Sequence, residues 1–371
     1  MAGIYVHIPF CKQRCAYCDF YSTVQHHLID AYVGAVVAEA RMRHVDGEIK
    51  TMYLGGGTPS QLPVRQLRGL VDGLRDALDL SHVEEFTVEV NPDDVSPEFA
   101  VSLADMGVNR VSMGVQSFID EELAVINRRH NAQGALDAIH ALRSAGIANI
   151  SIDLIYGLPR QTIESWRKSV ETALAVKPQH ISAYNLSYEH GTRLWMMRER
   201  GEVVEADDKT CVEMYDLLTS LLGEAGYEHY EISNFSLPGF HSRHNSSYWD
   251  FTPYMGLGAS AHSFDGKNRS YNPPSLTDYI NCVSSGKLPG VVEETEWWEQ
   301  YDEMVMVALR TSRGLLLEDV VRRFGNEAQK HLLSNAEQYI KSGQLTCSNG
   351  RIYIPESSFM VSDGIIRDLM W

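Results

Sequence analysis

The sequence predicts an α/β protein with a mainly parallel sheet, followed by a small helical C-terminal domain. Three observations indicate this class: short β-rich segments alternate with helical ones, glycines and prolines stand where helices should begin and end, and the alternation stops near Glu293. The strands recur at βαβ spacing, which requires right-handed crossovers and places ligand sites at the carboxyl ends of the strands. Spacing alone allows a doubly wound sheet or a full or partial barrel.

The bounds of the individual elements are predicted from the spacing of apolar residues and from the residues that begin or end helices. Ser96 and Pro97 supply an N-cap and a first-turn proline for one helix, and Gly146 ends another before a β-rich segment. Strands are predicted at 3–8, 51–54, 85–90, 149–155, 180–185 and 228–233, and helices at 28–43, 63–78, 97–106, 162–175 and 207–225. This series predicts six or seven parallel strands.

The C-terminal part has a different pattern. Helical segments are predicted at 301–309, 317–324 and 328–341, and a hairpin should turn at Asn349-Gly350, a pair that favours tight β-turns. We therefore predict two domains, residues 1–292 and residues 293–371, with a winged-helix-like second domain.

Composition limits the partners and the compartment. The chain has 371 residues, 44% of them hydrophobic, which is enough for a sizeable core. Its formal charge of -17 would repel a phosphate backbone, so no nucleic-acid partner is expected. The N-terminus does not resemble a signal peptide, and no run of about 18 apolar residues is present. We expect a cytoplasmic protein with reduced thiols.

Three of the six cysteines form a cluster. Cys11, Cys15 and Cys18 follow the first predicted strand with C-x3-C-x2-C spacing. Thiolates select zinc or iron–sulfur centres, and a closed structural zinc site or a fully ligated cubane needs four ligands. With no fourth cysteine or obvious histidine nearby, a [4Fe-4S] cluster would keep one iron open for another ligand. Buried or adventitious thiols, or half of a zinc site completed elsewhere, are the alternatives.

This cysteine loop resembles the signature of the radical S-adenosylmethionine (radical SAM) superfamily. The resemblance implies a partial (β/α)6 radical SAM barrel that binds a [4Fe-4S] cluster and S-adenosyl-L-methionine. In this family the open iron chelates the methionyl group, and an electron from the cluster cleaves the S–C5′ bond to give a 5′-deoxyadenosyl radical. The protein supplies orientation and a dry pocket for this cofactor chemistry.

Further motifs resemble the oxygen-independent coproporphyrinogen III oxidase group over the whole chain. They are YVHIPFC at 5–11, GGTP at 56–59, EVNP at 89–92, NRVSMGVQS at 109–117 and DLIYGLP at 153–159. Carried over by position, the resemblance implies that the S-adenosylmethionine site is lined by Tyr5, Gly56, Gly57, Thr58, Glu89, Gln116, Arg128 and Asp153. GGTP would receive the methionyl amino group, Arg128 its carboxylate, and Glu89 and Asp153 its polar groups. A solvated or capping role is the alternative for any of them alone.

Two features resemble a haem-binding subgroup, the HemW chaperones. The dehydrogenases of the group carry another cysteine two positions after the third ligand, where this chain has Phe20. The subgroup also carries the motif HNxxYW, present here from His244 to Trp249. An imidazole can ligate haem iron and aromatic rings can cover a porphyrin, so the resemblance implies that His244 binds haem. The alternative is that these side chains are packing residues of the core.

The function predicted from these residues is that of a haem chaperone that binds a [4Fe-4S] cluster, S-adenosylmethionine and haem. Its expected partners are a haem-acceptor protein and an electron donor such as flavodoxin or ferredoxin, with peripheral contact to membrane proteins. The main alternative is an oxygen-independent coproporphyrinogen III oxidase that decarboxylates the substrate's propionates. If the protein is catalytic, its reaction is S-adenosylmethionine cleavage or that decarboxylation. A radical SAM enzyme acting on an unrelated substrate is a third hypothesis.

Overall fold

The computed structural model describes residues 2–45 and 47–371, and both predicted parts of the fold are present. The strands are β1 Ala2–Ile8, β2 Ile49–Gly56, β3 Glu85–Val90, β4 Arg110–Gln116, β5 Asn149–Tyr156, β6 His180–Asn185, β7 Glu228–Glu231, β8 Asn234–Ser236, β9 Tyr254–Leu257, β10 His262–Phe264, β11 Arg269–Tyr271, β12 Val291–Val292, β13 Leu315–Leu316, β14 Thr346–Ser348 and β15 Arg351–Tyr353. The helices are α1 Ile29–Met42, α2 Val64–Ala77, α3 Pro97–Asp105, α4 Asp120–Val125, α5 Ala132–Ser144, α6 Ile163–Ala175, α7 Arg193–Glu199, α8 Asp208–Glu224, α9 Arg243–Trp249, α10 Leu276–Ser284, α11 Trp297–Leu309, α12 Leu317–Lys341 and α13 Ser362–Leu369.

The first six strands form the parallel core of a twelve-stranded mixed sheet. Its order is β12-β11-β10-β9-β1-β2-β3-β4-β5-β6-β8-β7, with parallel pairing from β1 through β6 and between β1 and β9. The predicted α/β fold class is confirmed. Six or seven parallel strands were predicted, and β1 to β6 are joined by β9 as a seventh beside β1. The segment that begins at Glu228 forms β7, which does not pair with β6 because the antiparallel strand β8 lies between them.

Helices pack on the outside of the parallel strands and obey simple sequence rules. In α2 the buried residues Leu67, Leu70, Val71 and Leu74 recur with helical spacing, so one face enters the core. Side-chain oxygens of Ser96, Thr162 and Asp207 accept hydrogen bonds from the first turns of α3, α6 and α8. These caps fix the residue at which each helix begins. The residues between the end of the preceding strand and the cap are therefore outside the helix and can carry ligand-binding side chains.

The C-terminal segment forms a small sheet, β13-β15-β14, against α11, α12 and α13. Two helices predicted at 317–324 and 328–341 are joined into α12 across a kink at Gly325, whose backbone is non-helical with φ of 85°. Asn349 and Gly350 both have positive φ, 51° and 73°, as the predicted hairpin turn requires. In the part of the chain that is described, no helix is both long enough and apolar enough to cross a membrane.

The N-terminal end of the barrel is covered by α9. The backbone N–H groups of Arg243 and His244 each donate a 2.9 Å hydrogen bond to the buried carboxylate of Glu85, the first residue of β3. A carboxylate at a helix N-terminus satisfies N–H groups that the helix itself cannot pair. The barrel interior is therefore closed at this end, and its opposite end contains the cavity described next.

Candidate functional site

A cavity of about 490 Å³ lies at the carboxyl ends of the parallel strands. All of the predicted site residues line it except Tyr5 and His244: they are Cys11, Cys15, Cys18, Gly56, Gly57, Thr58, Glu89, Gln116, Arg128 and Asp153. Apart from Arg128, which lies in the loop between α4 and α5, they come from the loop after β1 and from the ends of β2 to β5, because every parallel strand ends at this edge of the sheet.

The three cysteines of the loop after β1 are free thiols. Cys11 is buried, and its Sγ lies 3.5 Å from the hydroxyl of Thr58, which donates its own proton to the Gly57 carbonyl. Burial raises the pKa of Cys11 and raises the pKa of Cys18 to about 11. A thiolate here needs a positive partner, which bound iron would supply.

The spacing of the thiols bears on which metal centre fits. In the described part of the chain, no three His, Cys, Asp or Glu side chains are close enough together to hold a single metal ion. The three thiols nevertheless line one cavity, so the residues fit a larger centre whose iron atoms are bound one per cysteine. This arrangement suits a [4Fe-4S] cluster better than zinc.

Arg128 connects the cysteine loop to the strand ends. Its Nη1 donates to the Sγ of Cys15 at 3.3 Å, and its Nη2 donates to Asn91 Oδ1 at 2.9 Å and to the Gly114 carbonyl. Its Nε is buried and has no hydrogen-bond partner among the described residues. An unpaired buried N–H is costly, and a ligand carboxylate would satisfy it.

Glu89 stands at the end of β3, deep in the cavity. One carboxylate oxygen accepts a hydrogen bond from the Tyr53 hydroxyl at 2.7 Å, and the other accepts one from the Gly56 N–H at 3.1 Å. Burial, with a smaller contribution from the negative charge of Asp153, raises the pKa of Glu89 to about 7. The carboxyl group is therefore held where a cationic or hydrogen-bonding ligand would favour its charged form.

Asp153 and Gln116 complete the floor of the cavity. Burial raises the pKa of Asp153 to about 6, and the Ser112 hydroxyl donates to its carboxylate at 3.3 Å. Gln116 has a positive φ of 68°, and the pairing of β4 with β5 shifts register just before it. The positive φ and the register shift turn the end of β4 toward the cavity. Both features are frequent at ligand sites.

The glycines of the GGTP turn are required by close packing. A Cβ on Gly57 would come within 2.9 Å of the Pro9 carbonyl oxygen, and Gly56 has a φ of +114°. Neither position tolerates a larger residue without movement of the loop that carries Cys11. The turn therefore fixes Thr58 beside that thiol.

Tyr5 and His244 do not line the cavity. The Tyr5 hydroxyl lies 3.1 Å from His7 Nδ1, and its ring lies against Tyr53 and stacks on His244. Tyr5 is thus placed to support Tyr53, which holds Glu89. A direct contact of Tyr5 with S-adenosylmethionine stays a prediction.

His244 is located at the closed end of the barrel. Its side chain is fully buried, Nδ1 lies 2.8 Å from Thr51 Oγ1, and Nε2 lies 3.0 Å from the Tyr248 hydroxyl. Burial lowers the pKa of His244 to about 3. Both ring nitrogens are engaged, so a haem iron could reach this imidazole only if α9 moved. This differs from the expectation for a haem ligand and matches the packing alternative.

Sequence reasoning missed several residues that line the cavity, among them Tyr17, Asn91 and Tyr184. Tyr17 lies between two of the cysteines, Asn91 orients Arg128, and Tyr184 projects from β6 with 44% of its surface exposed. Asn91 belongs to the EVNP motif, which could have identified it. Tyr184 is the alternate residue after Ser182 on β6, a position that faces the cavity.

The parallel barrel, the three-cysteine loop after its first strand and the acidic floor beneath that loop define a radical SAM protein. Residues 5–173 match the model of the Radical SAM superfamily, and residues 297–361 match that of the HemN C-terminal domain. The chain belongs to the HemW family. It is 36% identical to "Heme chaperone HemW" of Lactococcus lactis, over 99% of this chain and 96% of that protein.

Other comparisons agree with this assignment. The chain is 32% identical to "Heme chaperone HemW" of Bacillus subtilis, over 98% of each protein. It superposes on the solved structure of coproporphyrinogen III oxidase (HemN) from Escherichia coli, a radical SAM enzyme, with a TM-score of 0.85. That superposition covers 100% of this chain and 90% of the oxidase at 22% identity, which shows a shared fold.

Proposed function

We propose that this protein is a haem chaperone that holds a [4Fe-4S] cluster, S-adenosylmethionine and haem, and delivers haem to an acceptor protein. The observation that carries the proposal is the full-length similarity to relatives whose name is "Heme chaperone HemW". The cysteine cavity supports the proposal, because its thiols suit a [4Fe-4S] cluster, and its unpaired Arg128 nitrogen and its acidic floor suit S-adenosylmethionine.

The chemistry of the cavity residues divides them between the [4Fe-4S] cluster and S-adenosylmethionine. Cys11, Cys15 and Cys18 would hold the cluster, since thiolates are the ligands that iron–sulfur centres require. Arg128 would grip the methionyl carboxylate, and Glu89 would receive cationic or N–H groups of S-adenosylmethionine. When both groups are bound, they supply one-electron radical chemistry.

Phe20 favours the chaperone over the oxidase. It lines the cysteine cavity with 67% of its surface exposed, at the position where the oxidase group carries another cysteine. An exposed phenyl ring cannot ligate a metal or transfer a proton, but it can contact an apolar surface of a partner protein. The decarboxylation of coproporphyrinogen is therefore the second candidate.

The expected partners follow from this role. A haem-acceptor protein would receive the haem, and a small redox protein such as flavodoxin or ferredoxin would reduce the cluster. We propose a cytoplasmic location, with contact to membrane proteins only at their periphery, and no nucleic-acid partner because the net charge is -17.

The test begins with anaerobic reconstitution of the untagged protein with iron and sulfide. Haem is then titrated by visible absorption, and the loaded protein is mixed with an apo-haem protein to follow transfer. Stoichiometric binding followed by transfer is expected. The variant Cys18→Ser is the control for the cluster and should lose its absorption band.

Two outcomes contradict the proposal. A reconstituted protein that binds no haem is not a haem chaperone. Formation of protoporphyrinogen from coproporphyrinogen under reducing conditions with S-adenosylmethionine would instead establish the oxidase.

A further inference from the structure

A second cavity, of about 350 Å³, lies between the end of α9 and the start of the C-terminal segment. Its aromatic lining consists of Tyr230, Trp249 and Phe251. Met304 and Leu315 add aliphatic lining. A cavity lined by aromatic and apolar side chains suits a flat, largely apolar ligand.

The polar groups of this cavity favour an anionic ligand. Arg313 and Arg351 line it, and within the described residues neither forms an ion pair with a carboxylate. The indole Nε1 of Trp249 is buried without a hydrogen-bond partner. Two carboxylates also line the cavity, but Asp319 is paired with Arg322 and Asp250 accepts hydrogen bonds from Thr252. Arg313, Arg351 and the Trp249 N–H are thus available to an anionic ligand, although Arg351 also donates to the Gly314 carbonyl at 3.4 Å and Asp250 keeps its negative charge at the same cavity.

His241 lies at the same cavity and has the surroundings of a metal ligand. Its Nε2 lies 2.9 Å from a carboxylate oxygen of Glu228, and its ring stacks on Tyr230 at 4.2 Å with 16° between the planes. Its Nδ1 makes no hydrogen bond to any described residue, and 43% of the side chain is exposed. Histidines that bind metals commonly donate their other ring N–H to a carboxylate, which fixes the tautomer and leaves a lone pair for the metal.

We infer that this second cavity is the haem site, with His241 as the iron ligand through Nδ1 and Glu228 as the carboxylate that orients it. Arg313 and Arg351 bind the propionates, and Trp249 and Phe251 cover a porphyrin face. The inference rests on the proposed chaperone function and assigns haem to a different histidine from His244, which is fully buried with both nitrogens engaged. A site that borders solvent also suits a ligand that is handed on.

The experiment compares ferric haem with iron-free protoporphyrin on the cluster-loaded, untagged protein. The variants are His241→Ala, Glu228→Gln and Arg313→Gln, with His262→Ala as a matched exposed histidine and Phe20→Ala at the cysteine cavity. Binding is followed by the Soret band and by fluorescence quenching, and the ligand state by electron paramagnetic resonance. Circular dichroism and cluster absorption check that each variant folds.

The two ligands should respond differently. His241→Ala should weaken haem binding at least roughly 10-fold and remove the histidine-ligated spectrum, but should leave protoporphyrin binding unchanged. Glu228→Gln should weaken haem binding about 10-fold or shift the spectrum. Arg313→Gln should weaken both ligands, because both carry propionates. The variants at His262 and Phe20 should bind like the wild type.

Two results would overturn the inference and leave the proposed function intact. One is haem binding by His241→Ala with wild-type affinity and spectrum. The other is a loss of haem in Phe20→Ala but not in His241→Ala, which would place haem at the cysteine cavity. If the wild type itself binds no haem, the proposed function fails instead.

Discussion

Glu89 and Asp153 are two carboxyl groups in one cavity, and each has a raised pKa. The cause is mainly burial, which disfavours the charged form, and the negative charge of Asp153 adds to the upward shift of the Glu89 pKa. In the ligand-free protein, the charged forms of these buried acids therefore lower the folding stability, and a cationic ligand would reduce that loss. The same residues that prepare the site also make the stability of the empty protein depend on pH.

The first prediction concerns Glu89→Gln. The folded pKa of Glu89, about 7, lies above its usual value near 4.5, so its contribution to stability is complete below about pH 4.5 and is lost as pH rises through 7. The unfolding free energy of the variant minus that of the wild type should therefore increase by on the order of 2 kcal/mol from pH 5 to pH 7.5. Urea unfolding of the ligand-free proteins at both pH values measures this difference.

The exposed residue Glu327 on α12 provides the control. Glu327→Gln should shift stability by the same small amount at both pH values. A pH-independent difference between Glu89→Gln and the wild type would show that the Glu89 carboxyl group is not perturbed.

The second prediction concerns Arg128→Lys in the cluster-loaded protein. Lysine keeps the charge but loses the planar fork and the unpaired Nε, so affinity for S-adenosylmethionine should fall about 10-fold or more in anaerobic calorimetry. The neighbouring Arg129 pairs with Asp93 and Asp94, so Arg129→Lys is the matched control and should bind more tightly than Arg128→Lys. Equal affinities of the two variants would remove Arg128 from the ligand site.

At the scale of elements, α1 fixes the loop that follows β9 through one buried carboxylate. Glu39 accepts hydrogen bonds from Tyr279, Gly258, Asn272 and Arg43, at distances from 2.6 to 2.9 Å. These donors converge from α10, from the loop after β9, from β11's end and from α1's own end. The carboxylate thus joins α1, the helix that follows β1, to α10 and to the antiparallel part of the sheet.

The third prediction is that Glu39→Gln destabilises the protein by about 3 kcal/mol, because an amide cannot accept at both ends and leaves buried donors unpaired. Chemical denaturation measures the loss. Glu337→Gln removes an exposed pair with Lys341 in α12 and should cost far less stability than Glu39→Gln. Similar losses in the two variants would mean that the buried network contributes little.

Elements also show how far the sequence predicts the fold. β3 and β6 were predicted with their observed bounds, because each is a short β-rich segment between clear helix signals. Strands β8 to β12 were not predicted, since they have two to four residues and are held by edge pairing rather than by a periodic pattern. Ten of the residues that line the cavity were predicted, because the family resemblance carried them over by position. His244 was not placed, because a motif does not tell which end of the barrel its helix covers.

At the scale of the whole molecule, one hydrophobic core connects the barrel to the C-terminal segment. Ile4 of β1 and Tyr301, Leu332 and Leu369 of the C-terminal helices belong to the same cluster of buried residues. The boundary at residue 292 stays a prediction, and this shared core argues that the two parts unfold together.

The fourth prediction is therefore a single calorimetric unfolding transition for the ligand-free protein. Leu369→Ala, in a fully buried position of α13, should destabilise that one transition by about 2–5 kcal/mol. Two resolved transitions, with only one of them moved by the substitution, would show that the C-terminal part folds independently.

The helix that covers the N-terminal end lies opposite the cavity, which opens at the cysteine side. A cationic ligand that enters there would favour the charged form of Glu89 and of Asp153, whose pKa values are about 7 and about 6. Binding of such a ligand would therefore release protons to the solvent, and its affinity would rise as the pH rises from acid toward neutral values.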